Sequence, residues 1–389
     1  MIDLDETTWT ILKRFRFEPT VLERMRANLA GAGPTEHTGR LTGPIGLPTR
    51  EDLVALPPIG SPEGKELAAI GCGALARGEV GVVVLAGGMA TRFGGVVKAV
   101  VEVVPGSSFL RLKLADIQTT AVVAGCTVPV ILLTSFSTSD EIRRAMRDVI
   151  HPRTPIEIVE QSVTMRLTSA GEVFHDALGR PSLCATGHGD LLPSLRVSGA
   201  LKRFRAGGRK MLMVSNVDNL AASLDPRVIG AHVRGGKGVT VEVVAKTPGD
   251  RGGIPARVDG QLQIVEEFRL PEGFDSSQVP YFNTNTFVFD TEAIDRDFDL
   301  DWFSVRRKVD GQETIQSERL LGQVTASLPT QFLVVERQSS ATRFLPVKDR
   351  EELQLRMPEI QALLQRLGVS LQQPRSPSSD CLVIPPERY

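Results

Sequence analysis

Hydrophobic and polar residues change rhythm at about residue 80. Upstream, residues 1–78 read as an irregular, mostly helical lead-in whose middle, AGAGPTEHTGRLTGPIGLPTR, is rich in Gly, Pro and Thr and is expected to be loop. Downstream, short β-branched runs recur at 80–86 (VGVVVLA), 128–134 (VPVILLT), 210–215 (KMLMVS), 239–245 (VTVEVVA), 286–289 (TFVF) and 332–336 (FLVVE). Several lack polar alternation, as expected of strands covered on both faces of a mixed or parallel sheet. Helical patterns lie between them. From Phe109 to Ala124, apolar residues fall at 110, 114, 117 and 121, one face of a helix. Thr138 and Glu141 read as a capping box opening the helix EIRRAMRDVI, and Asp225-Pro226 as an N-cap followed by a first-turn proline. Asp259-Gly260, inside IPARVDGQLQIVEE, predicts a hairpin with a type I′ turn. After Lys348 a polar–apolar helix is expected to about Leu367, then a Pro/Ser-rich tail. Strand and helix in alternation predict an α/β core. The expected organisation is an N-terminal segment over 1–78, a core domain over 79–348 and a C-terminal helix and tail over 349–389.

Composition narrows the class. With 41% apolar and 23% charged residues, the 389-residue chain can bury a sizeable core. Lys plus Arg total 45 against 46 acidic residues, so no electrostatic footprint for nucleic acid or an anionic membrane appears. The four cysteines, at 72, 126, 184 and 381, form no C-x-x-C pair, which argues against a disulfide framework or a cysteine-rich zinc site. No apolar run reaches the roughly 20 residues of a membrane span, and the opening MIDLDETTWTILKRF lacks the order of a signal peptide. A soluble, cytoplasmic protein is the expectation.

The chemistry concentrates first in VVVLAGGMATRFGGVVK, which runs from a buried strand into a glycine-rich loop. Gly87 and Gly88 allow a tight turn and bring backbone N–H groups close to a ligand. Thr91 and Arg92 add a hydroxyl and a fixed cationic fork suited to phosphate, and Lys98 follows as a mobile cation. The spacing matches neither the P-loop nor the dinucleotide fingerprint. An anion cradle at the carboxyl end of a strand is one reading, and a plain strand-to-helix turn with solvated basic residues is the other. Asp218, flanked by Asn216 and Asn219 at a strand end, is a carboxylate that can hold Mg²⁺ or simply cap a turn. His188 stands between Gly187 and Gly189, where an imidazole can bond a phosphate or a sugar hydroxyl. His37, His151, His175 and His232 share no ligand spacing.

LAGGMATRFG resembles the L-x-G-G-x-G-T-R-x-G signature of the UDP-sugar pyrophosphorylase family. TGHGD, VSNVDN, VAKT, GGIPARVDGQLQIVEE, FNTNTFVF and RFLPVK follow in the family's order, over roughly residues 80 to 350. The resemblance implies a Rossmann-like, GT-A-like nucleotidyltransferase core with a mixed, mainly parallel central sheet. It implies transfer of a uridylyl group from UTP to a sugar 1-phosphate, glucose 1-phosphate above all, with Mg²⁺ as cofactor. Such a transfer needs no activated serine or cysteine, because the attacking phosphate is already anionic, with a second pKa of about 6.

Carried onto this chain, the family's nucleotide contacts fall on Leu85, Ala86, Gly87, Gly88, Thr91, Gln161, Gly187 and His188. Gln161 is the expected reader of the uracil edge. The sugar-phosphate contacts fall on His188, Asn216, Asp218, Glu266, Asn283 and Asn285, with Asp218 also the metal ligand. Arg92, Lys98, Lys246 and Lys348 are the implied catalytic cations. Three departures stand out: Ala90 replaces the loop's usual glycine, the interval to Lys98 is one residue shorter, and Val97 occupies the place of a proline. Too few residues follow Lys348 for the family's C-terminal left-handed β-helix, so a monomer or small homo-oligomer is expected. Alternatives are an N-acetylglucosamine-type or broader UDP-sugar pyrophosphorylase, a weakened nucleotide-sugar-binding regulator, and a GT-A glycosyltransferase. The last normally wants a D-x-D-type metal site, whereas this segment offers Asp218 followed by Asn219.

Overall fold

The computed structural model describes residues 4–31, 39–147, 149 and 152–369; His37, His151, Cys381 and the predicted tail lie outside them. An eight-stranded sheet forms its centre. The strands are β1 (Leu53–Ala55), β2 (Val80–Leu85), β3 (Val130–Thr134), β4 (Ile156–Glu160), β5 (Met211–Asn216), β6 (Val239–Ala245), β7 (Tyr281–Asp290) and β8 (Thr330–Val334). They lie in the order β1-β8-β6-β7-β5-β2-β3-β4. Only β7 runs antiparallel to its neighbours, so the sheet is mixed and mainly parallel, as expected.

The unbroken apolar runs follow from burial on both faces. Along β2, Val80, Val82 and Val84 enter one core while Val83 and Leu85 enter the other. The first core is closed by the helices Pro62–Ala76, Phe109–Val123, Pro226–Gly235 and Met357–Arg366. The second is closed by Leu191–Val197, Ala200–Ala206 and the 3₁₀ turn Leu321–Ala326. The result is a helix–sheet–helix sandwich. The predicted hairpin forms from Gly253–Val258 and Gln261–Glu266, with Asp259 and Gly260 both at positive φ, as a type I′ turn requires. Asp225 caps its helix by accepting the Arg227 N–H at 2.8 Å.

Three expectations are corrected. Position 78 is not a gap in the fold: β1 is the edge strand of the central sheet, and Ile45–Gly46 pairs with Gly253–Val258. The helices Glu6–Arg14 and Pro19–Gly31 pack Leu12, Phe15, Leu22 and Met25 against Val163, Met165 and Leu167. Second, Thr138 makes no capping box with Glu141; its hydroxyl accepts the Ser135 N–H at 3.0 Å and tightens the preceding turn instead. Third, the C-terminal helix is two helices, Arg350–Leu355 and Met357–Arg366, because Pro358 has no N–H to give the preceding turn and its ring crowds the carbonyl four residues back; it is accommodated in the first turn of the second helix.

Candidate active site

The carboxyl ends of β2, β3, β4 and β5 open into a cleft of about 560 Å³. Leu85, Gly87, Gly88, Lys98, Gln161, Gly187, His188, Asn216 and Asp218 all line it, although they come from five separate segments. Ala86 continues β2 by donating its N–H to the Leu133 carbonyl at 2.8 Å, and Ser135 Oγ donates to the Gly87 carbonyl at 2.8 Å. A methyl group on Gly87 would overlap the Gln161 side-chain amide, so glycine here lets that amide pack against the backbone. The loop then folds differently from a simple phosphate wrap. Met89–Ala90 pairs with Val96–Val97, a 3₁₀ turn spans Thr91–Phe93, and Gly94 and Gly95 take positive φ. This small hairpin returns Lys98, whose N–H donates to the Gly88 carbonyl at 3.3 Å. Ala90 sits buried at φ −86°, a conformation that needs no glycine.

Gln161 follows β4 and donates its backbone N–H to the Thr134 carbonyl at 2.9 Å. The residue is 5% exposed, and its Oε1 is buried with no partner among the described residues. A buried acceptor left open in a cleft points to a ligand donor. Across the cleft, His188 Nδ1 accepts the Leu321 N–H at 3.1 Å, leaving Nε2 to carry the proton. Burial pushes the His188 pKa down to about 4, so the ring is a neutral donor at pH 7.

Lys98 Nζ is bonded to Asp218 Oδ2, which places the two charged candidates on each other. Asn216 Oδ1 accepts from Asn285 Nδ2 at 2.9 Å. That contact arises from a break in the β6–β7 ladder: Glu242 faces Thr286 but Val243 faces Asn283, leaving Thr284 and Asn285 extra. Asn285 takes φ +57°, a conformation asparagine tolerates better than most residues, and its buried Oδ1 has no partner among the described residues. A methyl on Gly253 would crowd both the Glu266 carboxylate and the Asn283 amide, so these two side chains converge there; neither they nor Asn285 are among the residues that line the cleft. Burial, and then the neighbouring charge of Glu267, push the Glu266 pKa up to about 7.

The family model described as UTP–glucose-1-phosphate uridylyltransferase matches residues 65–383. The chain belongs to that family. It is 29% identical over 322 residues to the enzyme of that name from Solanum tuberosum, covering 79% of this chain and 67% of the relative. The Saccharomyces cerevisiae enzyme is 30% identical over 302 residues, covering 71% and 59%. Among solved structures, UDP-glucose pyrophosphorylase from Leishmania major (a V402W mutant) aligns with a TM-score of 0.68 at 21% identity, covering 90% and 79%. The uridine diphosphate N-acetylglucosamine pyrophosphorylase of Trypanosoma brucei gives 0.68 at 18% identity, covering 89% and 75%.

The cations that the family resemblance implied are not gathered in this structure. Thr91 and Arg92 are exposed and outside the residues lining the cleft. Lys246 Nζ is held by Glu267 Oε1 at 2.8 Å and by the Ser276 carbonyl at 3.1 Å, so it is not free for a phosphate. Lys348 is exposed; its backbone N–H donates to Glu352 Oε2 at 2.7 Å, and its side chain does not line the cleft. The conspicuous RFLPVK motif is instead anchored by Arg343, 2% exposed, which binds buried Glu242 at 2.6 Å.

Other residues of the site were missed. Arg166, Gln316 and Glu318 line the cleft, with Arg166 Nε donating to Gln316 Oε1 at 3.2 Å and Gln316 Nε2 to Glu318. Buried Lys113 donates to Ser215 Oγ at 3.1 Å and to the Ala222 carbonyl at 2.8 Å, bracing the turn that carries Asp218. Nothing local marks Lys113, which reads as an ordinary helix lysine. A Q-x-E alternation on one strand face was the available signal for Gln316 and Glu318.

Proposed function

We propose that the protein transfers a uridylyl group from UTP to glucose 1-phosphate, giving UDP-glucose and pyrophosphate. The observation that carries this reading is the open acceptor of Gln161, packed on Gly87 in the same cleft as His188, Lys98 and Asp218. Gln161 Oε1 suits the N3–H of uracil, a donor that cytosine lacks. The neutral His188 ring offers its Nε2–H to a phosphate or hydroxyl oxygen. Asn285 Oδ1, Asn283 and Glu266 supply acceptors and a donor for sugar hydroxyls.

In the reaction an oxygen of the sugar phosphate attacks the α-phosphorus of UTP. The α-phosphorus–oxygen bond to the β-phosphate breaks, and pyrophosphate leaves with the bonding electrons. This chain aligns the two substrates and offsets charge on the leaving group, with Lys98 released from Asp218 onto a phosphate. Asp218 suits Mg²⁺, which takes one or two carboxylates and fills its shell with water and phosphate. No cluster of three or more His, Cys, Asp or Glu side chains occurs among the described residues, so the nucleotide would hold most of the ion's shell. Once bound, Mg²⁺ would neutralise phosphate charge.

N-acetylglucosamine 1-phosphate is a second reading of the sugar, supported by the equal TM-scores of the two structural relatives. We propose a cytoplasmic location, a reading the free thiols of Cys72, Cys126 and Cys184 support; no described helix is long and apolar enough to cross a membrane. A coupled pyrophosphate-release assay, offering UTP and Mg²⁺ with a panel of sugar 1-phosphates, tests the proposal. Release with glucose 1-phosphate above the other sugars is expected. UTP binding without pyrophosphate release from any sugar 1-phosphate would leave only a nucleotide-binding protein.

A further inference from the structure

The two peptide groups flanking Gln161 are both held from outside its strand. On one side, the Glu160 carbonyl accepts from the guanidinium of Arg16, which belongs to the N-terminal segment. On the other, the Ser162 N–H donates to Asp190 Oδ2 at 2.6 Å. The two grips are joined: Arg16 Nη2 also donates to Ser194 Oγ at 3.0 Å, and Ser194 Oγ donates to Asp190 Oδ2 at 2.9 Å. A closed ring of hydrogen bonds therefore runs from Arg16 through Glu160, Gln161, Ser162, Asp190 and Ser194 back to Arg16.

Asp190 is 0% exposed, and its other oxygen is bound by Arg319, whose guanidinium stacks 4.4 Å over the Trp302 ring. A buried carboxylate with every oxygen engaged is a rigid anchor, since moving it strands charges away from water. The N-terminal chain is seated at the same place. The Val163 N–H donates to the Phe15 carbonyl at 2.9 Å, and Arg16 adopts φ +51°, a left-handed conformation that only a fixed turn sustains in arginine.

We propose that Arg16 and Asp190 are positioning residues for the base reader, so that the N-terminal segment sets the nucleotide selectivity of the cleft. The inference rests on Gln161 reading the uracil edge, as proposed above. An amide discriminates donors from acceptors only when it is held at hydrogen-bond distance and angle, and a shift of a few tenths of an ångström weakens that choice. Neither residue touches the nucleotide; both act through the peptides on either side of Gln161.

The test compares kcat/KM for UTP with that for CTP, and direct UTP binding by calorimetry, in the full chain. Arg16→Ala and Asp190→Asn are each expected to narrow the UTP preference by about tenfold, through a higher KM for UTP and a weaker Kd. The KM for the sugar 1-phosphate should move far less. Arg16→Lys, which keeps one cationic donor, should recover part of the loss. Arg14→Ala is the control: it breaks the neighbouring ion pairs to Asp140 and Glu160 without opening the ring. It should lower Tm slightly and leave the UTP/CTP ratio alone. If Asp190→Asn does not fold, Arg16→Ala, a change at a half-buried position, still decides the matter. A wild-type protein with no preference for UTP over CTP would remove the base-reading role of Gln161 itself. Selective wild-type enzyme with unaltered selectivity in Arg16→Ala, whatever its Tm, would overturn the positioning role alone.

Discussion

The residues proposed to read the base and the cations implied for the phosphates are built on opposite principles. Gly87, Gln161, Gly187 and His188 sit on strand ends or tight turns: the Gln161 N–H is bonded to the Thr134 carbonyl, the Gly87 carbonyl accepts from Ser135 Oγ, and His188 Nδ1 accepts the Leu321 N–H, which leaves Gln161 Oε1 and His188 Nε2 for a ligand. Lys98, Lys246, Lys348 and Arg92 are long side chains on loops, and each is either bonded to protein or exposed. The first set is preorganised; of the second only Lys98 stands at the cleft, held on Asp218. A planar, nearly neutral base needs fixed donors and acceptors, because its recognition depends on angle as well as distance. A triphosphate attracts cations over a longer range, so Lys98 can be parked on Asp218 and drawn across when it arrives.

The largest test of this contrast is Lys98→Ala. Loss of a cation whose contact strengthens as pyrophosphate leaves is expected to lower kcat by about 10²–10³-fold while KM for UTP changes little. Steady-state kinetics decide it. An effect confined to KM would place Lys98 with the positioning groups.

On the preorganised side the expected losses are smaller and fall on binding. Gln161→Ala should narrow the preference for UTP about tenfold to a hundredfold, the effect of an unmatched base edge worth about 1–3 kcal/mol. Gly87→Ala should do the same without removing any polar group, because the added methyl displaces the Gln161 amide. Matching selectivity profiles in the two variants would sharpen the comparison; a Gly87→Ala enzyme with normal selectivity would break it.

If Glu266 contacts the sugar 1-phosphate as proposed, it gives that contact a pH signature. With its pKa at about 7, its ionised fraction rises roughly tenfold between pH 6 and pH 8, and sugar 1-phosphate affinity should rise with it. Glu266→Gln should flatten that part of the profile. Stability moves in the opposite sense. A carboxyl raised above its unfolded value binds its proton more tightly in the native state, so this contribution is full below pH 4.5 and is lost as pH rises through about 7. His188 opposes it: its lowered pKa contributes stability above pH 6.5 that is lost as pH falls toward about 4. Thermal melts of Glu266→Gln and of His188→Asn across pH 4–8 separate the two.

Lys348→Ala is expected to have the smallest effect. An exposed cation meeting a phosphate in solvent contributes about 1 kcal/mol, roughly fivefold in kcat. A loss as large as that of Lys98 would mean that Lys348 is drawn into the cleft with substrate.

Much of this was legible in the chain, for reasons that can be traced to particular residues. The run VTVEVVA forms β6 over its full length, and Asp259-Gly260 turns where its chemistry demands, because side-chain period and turn geometry are properties of neighbouring residues. The ordered motifs from LAGGMATRFG to RFLPVK identified the family, and the glycine loop marked the mouth of the cleft. The order of strands, and the edge strand contributed by Leu53–Ala55, were not legible, since three residues carry too little pattern to be read as a strand.

Only the tertiary structure decided which side chains act on one another. Lys98 meets Asp218 across 120 residues of sequence, Arg16 meets Ser194 across 178, and Arg343 meets Glu242 across 101. Local sequence specifies which elements form, because periodicity, caps and turns are settled within a few residues. Contacts over such separations depend on which faces the hydrophobic cores bury together and on which charges are left without water. Those are properties of the packed chain: they made Lys113 a buried brace, placed Gln161 at the cleft with its buried acceptor unpaired among the described residues, and left Lys348 outside it.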